Sequence, residues 1–137
     1  MRDFKNPTQV LNWQMSGLDD LNTENPVVRR ALRQSYGHWV REVGVDGFRL
    51  DTAFYVPPAL LHDFLRSPDP AAPGIERVAR STGRNSFYTF GEGFAIDQPY
   101  ATTQARRIER YVREHGARTG RPLMPGMLNF TLYGSLG

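Results

Sequence analysis

Gly44-Val45-Asp46-Gly47-Phe48-Arg49-Leu50-Asp51 is the stretch whose reading decides the fold. Its period of two sets Phe48 and Leu50 on one side and Gly47, Arg49 and Asp51 on the other, which predicts a short strand. A helix is predicted immediately before it. Asn25 can cap, Pro26 suits the first helical position, and Val28, Leu32, Tyr36, Trp39, Val40 and Val43 recur at spacings of three and four, while Arg29, Arg30, Arg33 and Arg41 lie mostly off that stripe. Gly44 then ends it. After the strand, Pro57 and Pro58 open a short helix to about Leu65, and the Pro-rich segment from Ser67 to Gly74 reads as a surface loop. A weaker helical stretch covers Ile75 to Arg80. Ser86-Phe87-Tyr88-Thr89-Phe90-Gly91-Glu92 is aromatic and Thr-rich and predicts a second strand. Asp97 caps the next helix, whose inner stripe is Ala101, Ala105, Ile108, Val112 and His115, with Gly116 past its end. Met127-Leu128-Asn129-Phe130-Thr131 predicts a third strand. Strand, helix, strand, helix, strand is the grammar of parallel α/β architecture.

Composition narrows the function classes around this frame. The 137 residues hold enough Leu, Val, Ile, Phe, Tyr and Trp for a core, with 13 Gly and 10 Pro cutting the chain into short elements. Apolar runs stay far below the ~20 residues of a membrane helix, so no membrane partner is expected. The absence of Cys excludes disulfides, thiolate metal sites and a cysteine nucleophile, and leaves the compartment open: secreted, periplasmic and cytoplasmic locations all fit. Seventeen Lys plus Arg against 14 Asp plus Glu give a charge of only +3. The densest basic stretch, Arg106-Arg107-Ile108-Glu109-Arg110 with Arg113, is broken by acid at helical spacing and reads as a solvated helix face, so nucleic acid is not an expected partner.

Two carboxylates carry the chemistry. A strand in a parallel sheet is normally apolar on both faces, and Arg49 and Asp51 break that rule on the same face. Asp51 stands at the strand's C-terminal end, where α/β barrels and doubly wound sheets build active sites. A neighbouring guanidinium favours the ionised carboxylate, which suits a nucleophile. Glu92 ends the second strand between Gly91 and Gly93, with Tyr88 and Phe90 on its face. An aromatic, partly dry surrounding is expected to raise its pKa, as a general acid requires. Strands ~4.8 Å apart make available the roughly 5–5.5 Å that separates the carboxyls of a retaining glycosidase.

Those residues resemble a known family. Gly44 to Asp51 is similar to the fourth-strand motif of the α-amylase family of glycoside hydrolases, Phe90-Gly91-Glu92 to its fifth-strand motif, and Leu18-Asp19-Asp20-Leu21-Asn22 to a short motif near its third-domain insertion, all in the family's order. The resemblance covers the whole chain. It implies a partial (β/α)₈ TIM barrel, about the fourth to sixth strands with their helices, in an α-amylase-type glycosidase that cleaves or transfers α-glucosidic bonds of starch-like or malto-oligosaccharide substrates with retention. Asp51 is then the nucleophile, Glu92 the acid/base and Arg49 the group that orients Asp51. Phe54, Tyr55 and Phe94 are candidate stacking platforms for sugar rings. Where the family often has a polar pair after the nucleophile, this chain has Thr52-Ala53-Phe54-Tyr55. The family's Asn-His pair after the third strand and His-Asp pair after the seventh are absent. Residues 1–137 are therefore expected to be a middle portion of one catalytic domain, with Met1 an internal methionine, no second domain, and the remainder of its own barrel as partner. Alone, the segment is expected to be inactive.

Other residues read differently. Asp19, Asp20 and Asn22 could hold calcium, as loops in this family sometimes do, but polar residues ahead of a helix more often form turns and caps. No certain cofactor follows, and no metal ligand is assigned. His38 and His62 lack partners at ligand spacing, and His115 suits the negative end of a helix. No serine sits in a nucleophile elbow and no Gly-rich loop cradles phosphate. The rival readings are a non-catalytic carbohydrate-binding or interaction module on the same barrel, and a transglycosylase of the same family.

Overall fold

In the computed structural model, which describes residues 2–113 and 120–136, helix α1 (Pro7–Asn12) begins on a proline behind an asparagine. Asn6 Oδ1 accepts from the Thr8 and Gln9 amides at 3.0 and 3.3 Å, satisfying two of the donors that a helix start leaves free. The same device opens α2 (Pro26–His38), where Asn25 Oδ1 accepts from the Val27 amide at 2.9 Å. Two compact units follow from the chain's contacts: Met1–Asp46 with Phe54–Phe87, and Gly47–Ala53 with Tyr88–Gly137.

The first unit is helical. Helix α2 runs into one wide π-helical turn, Trp39–Val43, where Trp39 O accepts from both the Gly44 and Val45 amides, and Gly44 closes it at φ +80°. Arg33, Gly37 and Val40 form the buried row, whereas Tyr36, Trp39 and Val43, expected on the inner stripe, are 42%, 49% and 56% exposed. Arg33 and Gly37 precede the wide turn, so it is the distant partners of Arg33, not the turn, that set this face of α2. Helices α3 (Pro58–Arg66) and α4 (Ile75–Ser81) pack with α2 and supply the core: Leu60, Leu61, Phe64, Leu65, Ile75, Val78 and Ala79 are buried. Tyr36 meets the Phe64 ring edge-on at 5.5 Å between centroids.

Arg33, read from the sequence as off the core stripe, is the buried cation of this unit. Its Nε donates to Ala72 O at 2.7 Å, one terminal nitrogen bonds Asp63, and the other lies 3.4 Å from Asp69. The Pro-rich loop is thus not wholly at the surface, since Ser67 and Ala72 are buried. The Ala71 amide above all holds the Asp69 carboxyl below its usual range; desolvation opposes it, and Arg30 and Arg33 add further lowering. Removing this cation takes the guanidinium from Asp63 and the donor from Ala72 O, while Asp69 keeps Arg30 at 3.0 Å. Arg33→Ala is expected to lower unfolding stability by about 2–3 kcal/mol, below the ~3–5 for a fully buried pair because both carboxylates keep part of their surface in water. Chemical denaturation of the protein carrying this segment measures it, and a change under about 0.5 kcal/mol, the scale of an ordinary surface substitution, would show the network to be ornamental.

The second unit holds the sheet. Strands β1 (Gly47–Leu50), β2 (Tyr88–Gly91) and β3 (Gly126–Met127) lie parallel in the order β1-β2-β3. Gly47 pairs with Tyr88, Arg49 with Phe90 and Leu50 with Gly91. A Cβ on Gly47 would stand 2.3 Å from Tyr88 O, so only glycine lets the strands approach there. Helix α5 (Thr103–Arg113) is capped from a distance: Asp97 accepts from the Gln104 and Ala105 amides at 2.7 and 2.9 Å. Ala101 therefore precedes the helix rather than lining it, Ile108 is buried, and Arg113 pairs with Glu109 at 3.0 Å on an exposed face. His115 and Gly116 lie outside the described residues.

The third strand is shorter than its sequence predicts. It stops at Met127, and Phe130 and Thr131 begin helix α6 (Phe130–Leu136). Asn129 decides this, because its Oδ1 accepts from the Leu132 amide at 3.0 Å and so caps a helix instead of continuing a strand.

Candidate active site

The β1–β2 ladder carries one rung past the last strand residues. The Glu92 amide donates to Leu50 O at 2.7 Å, so Asp51 and Glu92 follow the Leu50–Gly91 pair on the next rung at the carboxyl ends of both strands. Arg49, two residues back on β1, shares the face of Asp51. A Cβ on Gly91 would meet Met127 Sδ at 2.5 Å and Ala53 Cβ at 3.0 Å, so the residue before Glu92 has no room for a side chain. Tyr111 O–H donates to Ala53 O at 3.4 Å behind the same turn, and burial pushes its hydroxyl pKa up against the opposing charges of Arg107 and Arg110.

Arg49 bridges the two carboxylates. Its Nη2 lies 2.9 Å from Glu92 Oε2 and 3.6 Å from Asp51 Oδ1. The guanidinium is therefore nearer to Glu92 than to Asp51, where the sequence paired it with Asp51. Asp51 is held below the ordinary carboxylate range first by hydrogen bonding with the Glu92 side chain; desolvation opposes this, and the Arg49 charge and the Thr52 backbone N–H add to the lowering. Asp51 is open, its side chain 67% exposed, while Glu92 is 18% exposed. The arrangement presents an open carboxylate beside a shielded carboxyl group, with one guanidinium nitrogen between them, a pairing that covalent catalysis with proton transfer can use.

The aromatic candidates separate. Phe94, two residues after Glu92, is 68% exposed and meets Phe130 edge-on at 5.0 Å between centroids. Phe54 is 5% exposed and offers no face to a ligand; Tyr55 is half-buried. Tyr88 and Phe90 stack at 6.4 Å on β2, and Tyr88 O–H donates to Pro125 O at 3.2 Å. Asp19 accepts from Gln14, and Asn22 Oδ1 accepts from the Asn25 amide at 3.2 Å, which are turn and cap roles. Among the described residues no group of three His, Asp or Glu could hold a metal ion. An open cavity of about 570 Å³, lined in part by Asp97, Tyr100, Asn129 and Leu132, touches neither carboxylate. Thr52 is the residue that the sequence did not mark: nothing in its type announces the backbone conformation it adopts.

Comparison with known proteins follows the same lines. A family model described as alpha amylase, catalytic domain, matches residues 4–124. An alpha-amylase of Streptomyces lividans is 34% identical over 91 residues, 64% of this chain and 9% of that protein. A beta/alpha-amylase of Paenibacillus polymyxa is 36% identical over 104 residues, 76% of this chain and 7% of that protein. Among solved structures, the alpha-amylase of Geobacillus thermoleovorans complexed with acarbose superposes with a TM-score of 0.65 at 26% identity, over 98% of this chain and 24% of that one. The chain thus spans less than a tenth of those two curated relatives and about a quarter of the solved chain.

Proposed function

The chain belongs to the alpha-amylase catalytic-domain family, its three parallel strands and helices forming part of an α/β barrel without closing one among the described residues, and from that premise we propose that it carries the nucleophile and acid/base of a retaining glycosidase acting on α-glucosidic bonds of starch-like or malto-oligosaccharide substrates. The observation that supports this most is Arg49 Nη2 at 2.9 Å from Glu92 and 3.6 Å from Asp51, where two parallel strands end side by side. In the first step an Asp51 oxygen attacks the anomeric carbon. The glycosidic C–O bond breaks, and the Glu92 proton passes to the departing oxygen. In the second, water attacks the same carbon, Glu92 takes the water's proton, and the bond to Asp51 breaks. Each step inverts once, so the product keeps the substrate's configuration. An acceptor hydroxyl in place of water gives transfer by the same residues.

Arg49 serves both steps. It offsets the charge of Asp51 before attack, and of Glu92 once its proton has left. Phe94 supplies an open ring for an apolar sugar face. The test uses the whole protein that carries this segment, a fluorinated maltosyl fluoride that accumulates the covalent intermediate, and peptide mass mapping. The label is expected on Asp51, with the α-anomer as first product by proton NMR. A label on another residue, or the β-anomer first, would reject the assignment.

A further inference from the structure

We propose that Thr52 is a positioning residue for Asp51, acting through a β-bulge that its left-handed backbone creates at the end of β1. The proposal rests on the glycosidase reading above and adds a residue to it. In a regular parallel ladder, Glu92 would accept from the amide of Thr52 after donating to Leu50 O. Instead the Ala53 amide makes that bond, at 2.7 Å. Thr52 is therefore an extra residue between two ladder bonds, and its φ is +48°. For a β-branched side chain this region is rare, and it costs of order 1–3 kcal/mol that neighbouring contacts must offset. Here they are visible: Ala53 N–H holds Glu92 O, Ala53 O accepts from Tyr111 O–H at 3.4 Å, and Ala53 is fully buried.

The consequence falls on the nucleophile. Pairing Thr52 into the ladder would carry β1 on as regular strand, with its N–H committed to Glu92 O. The bulge ends the strand at Asp51 and bends the chain away. It also takes the Thr52 N–H out of the ladder, and that N–H adds to what favours the Asp51 anion. Asp51 thus points out at the strand end while Glu92, still in register, stays beside it. The side chain of Thr52 has no part in this; the sign of φ does.

Substitutions at position 52 in the whole protein separate these elements, with kcat taken per site counted by the fluorinated maltosyl fluoride. Thr52→Gly adopts positive φ freely, and Thr52→Val keeps the shape without the hydroxyl. Both are expected to hold kcat within about threefold and to leave the acid limb of kcat/KM in place. Thr52→Pro fixes φ near −65° and lacks the N–H, so kcat is expected to fall about 100-fold with KM little changed, the scale of a 1 Å misplacement. Its acid limb should move up, because Asp51 loses a donor to its ionised form. If Thr52→Pro does not fold, Thr52→Asn, at ease with positive φ, tests the same variable and should hold kcat within about threefold of the unsubstituted protein. Loss of kcat in Thr52→Gly or Thr52→Val assigns the role to the side chain and overturns the proposal. So does full activity in Thr52→Pro, or a loss of kcat of about tenfold or more in Thr52→Asn. In each variant the label should remain on Asp51; a label elsewhere condemns the glycosidase assignment instead.

Discussion

Asp51→Asn is expected to lower kcat on malto-oligosaccharides by at least about 10⁴-fold, the order seen when a catalytic nucleophile is removed, while oligosaccharide affinity stays within a few-fold. Three observations carry the size of that effect. Asp51 ends β1 with its side chain 67% exposed, so its replacement leaves no cavity and breaks no buried pair. The Glu92 hydrogen bond, the Arg49 charge and the Thr52 N–H all favour the anion, and an amide cannot become one. The neutral oxygen left behind has no charge to deliver to an anomeric carbon. The fold should be untouched, within the roughly 0.5 kcal/mol of an ordinary surface change. Calorimetric binding of a malto-oligosaccharide beside a reducing-sugar assay separates the two effects. Undiminished turnover would remove Asp51 from the mechanism, and a matching loss of binding would make it a sugar-contacting residue.

Glu92→Gln is the second large effect, and its size depends on the leaving group. Glutamine keeps an oxygen for Arg49 to bond and gains an N–H₂ that reaches toward Asp51, so the local geometry survives. It has no proton to transfer. Turnover of malto-oligosaccharides, whose leaving alcohols need protonation, is expected to fall about 10²–10⁴-fold. An aryl maltoside or maltosyl fluoride, whose leaving group departs unaided, should lose no more than about tenfold in the first step. Equal losses on both kinds of substrate would contradict an acid role and make Glu92 a support for Asp51. The acid limb of kcat/KM adds a second reading. Asp51 is held below the usual carboxylate range, so activity that depends on its anion persists as pH falls through that range and is lost only below it.

The sequence was most legible where one residue fixes its own surroundings. Asn25-Pro26 and Gly44 mark helix ends through capping and left-handed backbone, and both boundaries stand in the structure. Alternation in Val45 to Asp51 and the aromatic, Thr-rich run from Ser86 to Glu92 predict two strands, and the structure pairs Gly47–Leu50 with Tyr88–Gly91 in parallel. Legibility failed where two local signals competed. Asn129 sits within an alternating apolar run, and its helix-capping oxygen prevailed over that alternation. It failed again within α2, where Arg33 and Gly37 rather than Tyr36 face the core, because Arg33 is held by Asp63 and Ala72 from elsewhere in the chain.

By itself, then, the order of residues determined the family, the parallel strand–helix alternation and the placement of an aspartate and a glutamate at successive strand ends, because these depend on side-chain periods and caps that act within four residues. Tertiary structure alone decided that Arg49 lies closer to Glu92 than to Asp51, that Arg33 is a buried cation held by Asp63, Asp69 and Ala72, and that Thr52 leaves the ladder at positive φ. Each of these joins groups tens of residues apart, or sets a backbone angle through such a join. A long side chain takes the partner that neighbouring elements bring within reach, and no local pattern encodes which one that is.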